Sequence, residues 1–187
     1  ITVGSAKLKT PLLCSGANLS YTKALFNKLE PYKNNHKILS GDDMFFLEKI
    51  IKTDYQYHAE INLNSIVETE GATSFTEMIS RSARWASKSS KLKMPLSTVF
   101  GIIVLIVNCS ILFMMGLVIL DNHSIVFFIK LCAVKTIVDV FFLVLLAKRY
   151  NRYQTIIYFP IMAVFYPFYL FIVSVVTVFS SPSWKGR

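Results

Sequence analysis

The sequence predicts a mixed α/β domain followed by a membrane domain of about three transmembrane helices. Charge, apolar run length and element order lead there. Residues 1–94 hold 13 Lys/Arg and 9 Asp/Glu, whereas residues 95–187 hold 7 and 2. Three apolar stretches in the second part, at about 95–120, 124–147 and 156–180, each exceed the roughly 20 helical residues that cross a hydrocarbon core. In the first part, short strand-like runs alternate with helical ones. The boundaries that follow are 1–73 for the α/β part, 74–94 for an amphipathic interfacial helix and 95–187 for the membrane part.

The elements of the polar part read in order. Pro11–Tyr21, an apolar run passing through Ser-Gly into alternation, suits a buried strand with a kink. "TKALFNKL" reads as a brief helix and "YKNNHKILSG" as a loop. "SGDDMFFLEKIIKT" carries a helix start, with Ser40 as N-cap and Asp43 three residues on, and repeats Phe46, Leu47, Ile50 and Ile51 at helical spacing. His58–Leu63 and Ser65–Glu68 are strand candidates. Ser74 and Glu77 form a capping box that opens a helix running to about Ser89.

Composition narrows the function. The formal net charge is +9 and the mean hydropathy +0.49. Apolar content this high and this clustered does not suit a soluble nucleic-acid binder, so membrane lipids, not nucleic acid, are the expected partners of the charge. Cys14, Cys109 and Cys132 show no disulfide or zinc-ligand spacing, and His36, His58 and His123 are scattered. Lys88, Lys91 and Lys93 precede the first span, and Lys148, Arg149 and Arg152 lie between the second and third; "DNHS" has no Lys or Arg. The positive-inside rule places the polar part and the 148–152 loop in the cytoplasm. Three full crossings would put the basic "SWKGR" tail outside; a re-entrant bend at Pro160 and Pro167 would keep it inside. Ile1, where an initiator Met is usual, suggests that an N-terminal part is missing.

Three constellations are candidates for chemistry. Asp42 and Asp43, adjacent at a helix N-terminus, suit either helix capping or a general base raised on a Gly-containing loop. Arg81, Arg84, Trp85 and Lys88 share one helix face. They suit a membrane anchor, or a site in which guanidinium forks grip phosphate oxygens and an indole stacks on a sugar. Lys135 and Asp139, one turn apart inside the second span, suit an intrahelical ion pair turned to the bundle interior, or a substrate path. Lys130 lies nearer the helix end and can snorkel.

The order "LLCSGANLSYTK", "SGDD", "RSARWASKS", then apolar helices, resembles the C-terminal half of the membrane-bound family 2 glycosyltransferases, among them the cellulose, chitin and hyaluronan synthases and their bacterial branch. That resemblance implies a partial glycosyltransferase-A-like domain. It assigns Asp43, with Asp42 beside it, to the catalytic base. It assigns Cys14, Ser15 and Gly16 to the acceptor pocket, and Arg84 and Trp85 to the end of a Gln-x-x-Arg-Trp motif in which Arg81 replaces Gln. It also implies a divalent metal, Mg or Mn, held by an upstream Asp-x-Asp that this sequence lacks, so the stretch alone is expected to be inactive.

The function implied is inverting transfer of a sugar from a nucleotide-sugar donor to a membrane-associated acceptor, lipid-linked or a growing glycan, at the cytoplasmic face of the inner membrane. Two alternatives stand beside it. One is a processive polysaccharide synthase, and the other is a non-catalytic membrane adaptor in which Asp42 and Asp43 only cap a helix.

Overall fold

A computed structural model describes residues 4–5, 8–33, 41–59, 62–89, 94–120 and 125–179. Its helices are α1 (Lys23–Leu29), α2 (Asp42–Ile50), α3 (Phe75–Ser89), α4 (Pro95–Leu120), α5 (Ile125–Tyr150) and α6 (Phe159–Phe179). Short 3-10 turns occur at Gly16–Asn18, Leu63–Ser65 and Tyr153–Tyr158. The chain divides into two compact units, residues 1–100 with 176–187, and residues 101–175.

The expected α/β class is overturned: no strand occurs among the described residues. At Pro11–Tyr21 the Ser-Gly break becomes a 3-10 turn in which the Ser15 hydroxyl accepts from the Ala17 N–H. Cys14 and Gly16 bond to Asp43, not to a ladder neighbour. Ser65–Glu68 fails for a similar reason. The Asn62 side chain accepts from the Asn64 N–H, and the Ser65 hydroxyl donates back to the Asn62 carbonyl, closing a tight turn where the strands were expected. The other strand candidate, His58–Leu63, includes positions outside the described residues. Alternating apolar residues favour a strand only when another strand pairs with them, and local side-chain bonds take these backbone groups first.

The first unit is organised around α2. Met44, Phe46, Leu47 and Ile50 are buried with Met94, and Cys14, Leu19, Leu25, Phe26, Leu29 and Ile51 pack against them. Tyr21 stacks on Phe46 at 4.5 Å and on Phe26 at 5.5 Å between ring centroids. α1 starts where the Thr22 hydroxyl accepts from the Leu25 N–H at 3.2 Å, and it ends at Glu30 in the left-handed region. The Lys49 ammonium donates to the carbonyls of Leu29 and Glu30, so a cation from α2 satisfies the open carboxyl end of α1.

The second unit consists of residues from α4, α5 and α6. Among the described residues, two helices are long and apolar enough to cross a membrane, Leu96–Leu120 and Tyr153–Phe179, and in each only 11% of the most apolar window is buried. The expected three spans are therefore corrected to two among the described residues: helix α5, where the second was expected, has 26 residues but carries Lys130, Lys135, Asp139, Lys148 and Arg149. Helix α6 runs unbroken through Pro167, so no re-entrant hairpin forms there. The expected ion pair is present: the Lys135 ammonium lies 2.5 Å from the Asp139 carboxylate and 5.7 Å from the centroid of the Tyr166 ring. Both charges line a cavity of about 700 Å³ with apolar walls, which Asn108 also lines. Asn108 is buried; its amide N–H donates to the Val104 carbonyl at 2.8 Å, and its Oδ1 has no partner among the described residues.

Truncating the residue at the centre of the first unit should be costly. Phe46→Ala removes a ring that is 6% exposed and stacked on Tyr21. A loss of about 3–5 kcal/mol is expected, read as a lower unfolding midpoint and faster proteolysis of the polar part.

Candidate active site

The site begins with a glycine. Gly41 takes φ 107°, a left-handed conformation that side chains resist, and serves as N-cap of α2. The expected cap, Ser40, lies outside the described residues. The turn at Gly41 sets Asp42 and Asp43 in the first turn of α2, where the helix dipole favours negative charge.

Asp43 is held from three directions. Its Oδ2 accepts from the Gly16 N–H at 3.0 Å and its Oδ1 from the Met44 N–H at 2.8 Å. The Cys14 thiol donates to its main-chain carbonyl at 3.1 Å. Burial, and then the nearby Asp43 charge, push the Cys14 thiol up to about 12, so it keeps its proton at neutral pH. Asp42 is exposed. Its field, with those of Tyr21 and Asp43, adds to burial in raising the Tyr32 phenol.

Helix α3 brings the arginines. Arg84 lies within the field of Asp43, 41 positions earlier in the chain. Burial first, and then Arg81, lower its pKa, while the Asp43 carboxylate opposes them. Arg81 is committed elsewhere: its guanidinium donates to Glu77 Oε1 at 2.7 Å and to the Glu70 carbonyl at 3.1 Å. Trp85 is 58% exposed, with its indole free of the core. The structure therefore brings Cys14 and Gly16 onto Asp43, whose charge is felt at Arg84. Ser15 caps its own turn, and Arg81 is neutralised by Glu77. That last pairing was legible, because Glu-x-x-x-Arg is the favoured i,i+4 arrangement. The contributions of Tyr32, and of Asn18, whose amide donates to the Ser65 carbonyl at 2.7 Å, carried no sequence signal.

Among the described residues no three His, Cys, Asp or Glu side chains gather to hold a metal. The Mg or Mn implied by the resemblance thus finds no fitting ligand set in them.

A family model matches residues 13–187, and its description is glycosyl transferase family 21. The chain belongs to glycosyl transferase family 21. The expectation of family 2 and its named synthases is corrected at that level; Arg81 in place of Gln is where the family 2 pattern had already departed. No curated protein and no solved structure matches the chain. As a family 21 member it is a glycosyltransferase, with a sugar donor and an acceptor as its partners.

The start of α3 in this family 21 chain is sensitive to acid. The Thr73 N–H, the Thr73 hydroxyl and the Arg81 guanidinium hold Glu77 down from the usual 4.5 to about 2. A carboxyl depressed on folding stabilises fully above 4.5 and loses that stabilisation as pH falls through about 2. Amide exchange at residues 75–78 is expected to accelerate as pH falls between those values, once corrected for intrinsic rates, and Glu77→Gln should remove that step.

Proposed function

We propose that this glycosyltransferase moves a sugar, with inversion, from a nucleotide-sugar donor to a membrane-associated acceptor, and that the described residues form the acceptor side of its active site. The observation that carries the reading is the fixed carboxylate of Asp43, held by Gly16 and Met44 and by Cys14 at its main chain, with its charge felt at the Arg84 guanidinium. Asp43 is the base. It takes the proton of an acceptor hydroxyl as that oxygen bonds to the anomeric carbon. The bond from that carbon to the diphosphate oxygen breaks on the opposite face, and the nucleoside diphosphate leaves with the electron pair. Charge building on the leaving group is best met by a cation already in place. Arg84, within the field of the Asp43 carboxylate, supplies it. The exposed indole of Trp85 offers an apolar face on which a sugar can stack.

Helices α4 and α6 support an acceptor held at a membrane, since each leaves an apolar surface long enough to span. Lys148 and Arg149, in the last turn of α5, and Arg152 after it support a cytoplasmic side for that loop. The sugars are transferred singly, to lipid or glycan.

The test is nucleoside-diphosphate release from a panel of nucleotide sugars, using membranes that carry the complete reading frame. Asp43→Asn is expected to lower turnover by about 10²- to 10⁴-fold, the usual contribution of a general base. Turnover that survives the change would remove Asp43 from the chemistry, and a folded protein inert toward every donor would favour the adaptor.

A further inference from the structure

We infer that the Cys14–Gly16 segment positions the base: the Gly16 N–H fixes the Asp43 carboxylate, and the Cys14 thiol fixes the Asp43 main chain. The inference rests on the reading of Asp43 as base and reassigns both residues from acceptor contact to support of that carboxylate.

The geometry for it is specific. Two donors from one three-residue stretch reach one residue 27 and 29 positions later in the sequence. One bond goes to the carboxylate and the other to the carbonyl, so they constrain the side chain and the peptide separately. A single bond to the carboxylate would leave the backbone free to move with the helix end. A single bond to the carbonyl would leave the side chain free to rotate about χ1. Among the described residues Oδ1 bonds only to the adjacent Met44 N–H, a contact Asp43 carries with it wherever its helix moves, so that bond does not fix it in the unit. Gly16 therefore provides the tie between the carboxylate and a distant part of the chain.

Both partners are built for this role. Cys14 packs against the core formed by Met44, Phe46, Leu47 and Ile50, which anchors the segment to the body of the unit. The thiol remains protonated, and hence a donor, throughout the physiological range. At Gly16 the nearest atoms that a Cβ would meet all belong to Asp43, at 3.7, 3.7 and 3.9 Å. These are ordinary contact distances, so a methyl fits there. Ser15 has φ −125° and ψ 126°, the extended conformation that a following proline requires. Gly16 itself opens a 3-10 turn, a position where proline's fixed φ is tolerated. Proline at 16 is thus compatible with the backbone and deletes the N–H that Asp43 uses.

The experiment compares Gly16→Pro with Gly16→Ala, and both with Asp43→Asn, in membranes carrying the complete reading frame. Turnover is normalised to enzyme that binds donor. Gly16→Pro is expected to fall about 10- to 100-fold below Gly16→Ala in kcat, the scale of a base displaced by a fraction of an ångström to an ångström. The donor KM should be shared, and the solvent deuterium isotope effect on kcat should be larger in the proline variant, because proton transfer has become slower. A purely structural role for Gly16 would reduce the amount of competent enzyme without changing the isotope effect, and that result overturns the inference. If Gly16→Pro yields no folded protein, Cys14→Val, which keeps the buried volume and removes the donor, is expected to show the same rise in isotope effect; an unchanged value overturns it equally. Should Asp43→Asn retain turnover, the reading of the base fails. Should Asp43→Asn be inactive while the proline and alanine variants match, only the positioning role fails.

Discussion

The candidate site in the polar unit depends on one carboxylate staying where the start of α2 puts it. Asp43 sits on the dipole of that helix, in the turn that Gly41 makes possible, and it accepts an N–H from Gly16 across 27 positions of sequence. The arrangement couples two scales. Burial of Met44, Phe46, Leu47 and Ile50 holds the helix, contributing about 25 cal/mol per Å² of apolar surface removed from water. The hydrogen bonds then set the final position of a group whose chemistry tolerates little error. Without the packing the bonds would have nothing rigid to join, and without the bonds the helix end would carry an aspartate free to turn.

The arginines illustrate how one motif divides its labour. Arg81 and Arg84 lie three apart on α3 and look equivalent in sequence. Glu77 takes Arg81, which also reaches the Glu70 carbonyl, and so braces the entry to the helix. Arg84 lies within the field of Asp43. The same carboxylate, Glu77, accepts from Thr73 and so completes a cap set one residue earlier than the Ser74 pairing alone would indicate. A guanidinium bound to a local carboxylate is a poor choice to meet a leaving diphosphate, because much of its charge is already answered.

The apolar helices follow a different logic. α4 and α6 present exposed apolar surfaces long enough to cross a membrane, whereas α5 carries charge. Unpaired, Lys135 and Asp139 would each cost about 2.5–3.5 kcal/mol at a helix centre. Pairing at one-turn spacing, with Tyr166 beneath the ammonium, answers most of that cost within the unit. Asn108 remains the exception, with a buried amide oxygen that nothing among the described residues bonds.

What the sequence by itself determined was local and periodic. The starts of α1 and α3, the apolar lengths of α4 and α6, and the Lys135–Asp139 pair all follow from spacings of three, four and seven, or from the length of a hydrophobic run. Motif order carried the glycosyltransferase class as well, since Asp-Asp before Arg-x-x-Arg-Trp before apolar helices is a pattern of chemistry. It carried the wrong family number, because such motifs report the reaction more than the lineage. Only the tertiary structure decided the rest. Strand-like alternation at Pro11–Tyr21 and Ser65–Glu68 made no sheet, since a strand exists only if another strand pairs with it, and that is a non-local condition. Likewise nothing in "CSG" or "GDD" announces that Gly16 and Asp43 meet, or that Cys14 reaches the Asp43 main chain. Those contacts join residues far apart in sequence, and only the folding of the first unit brings them together.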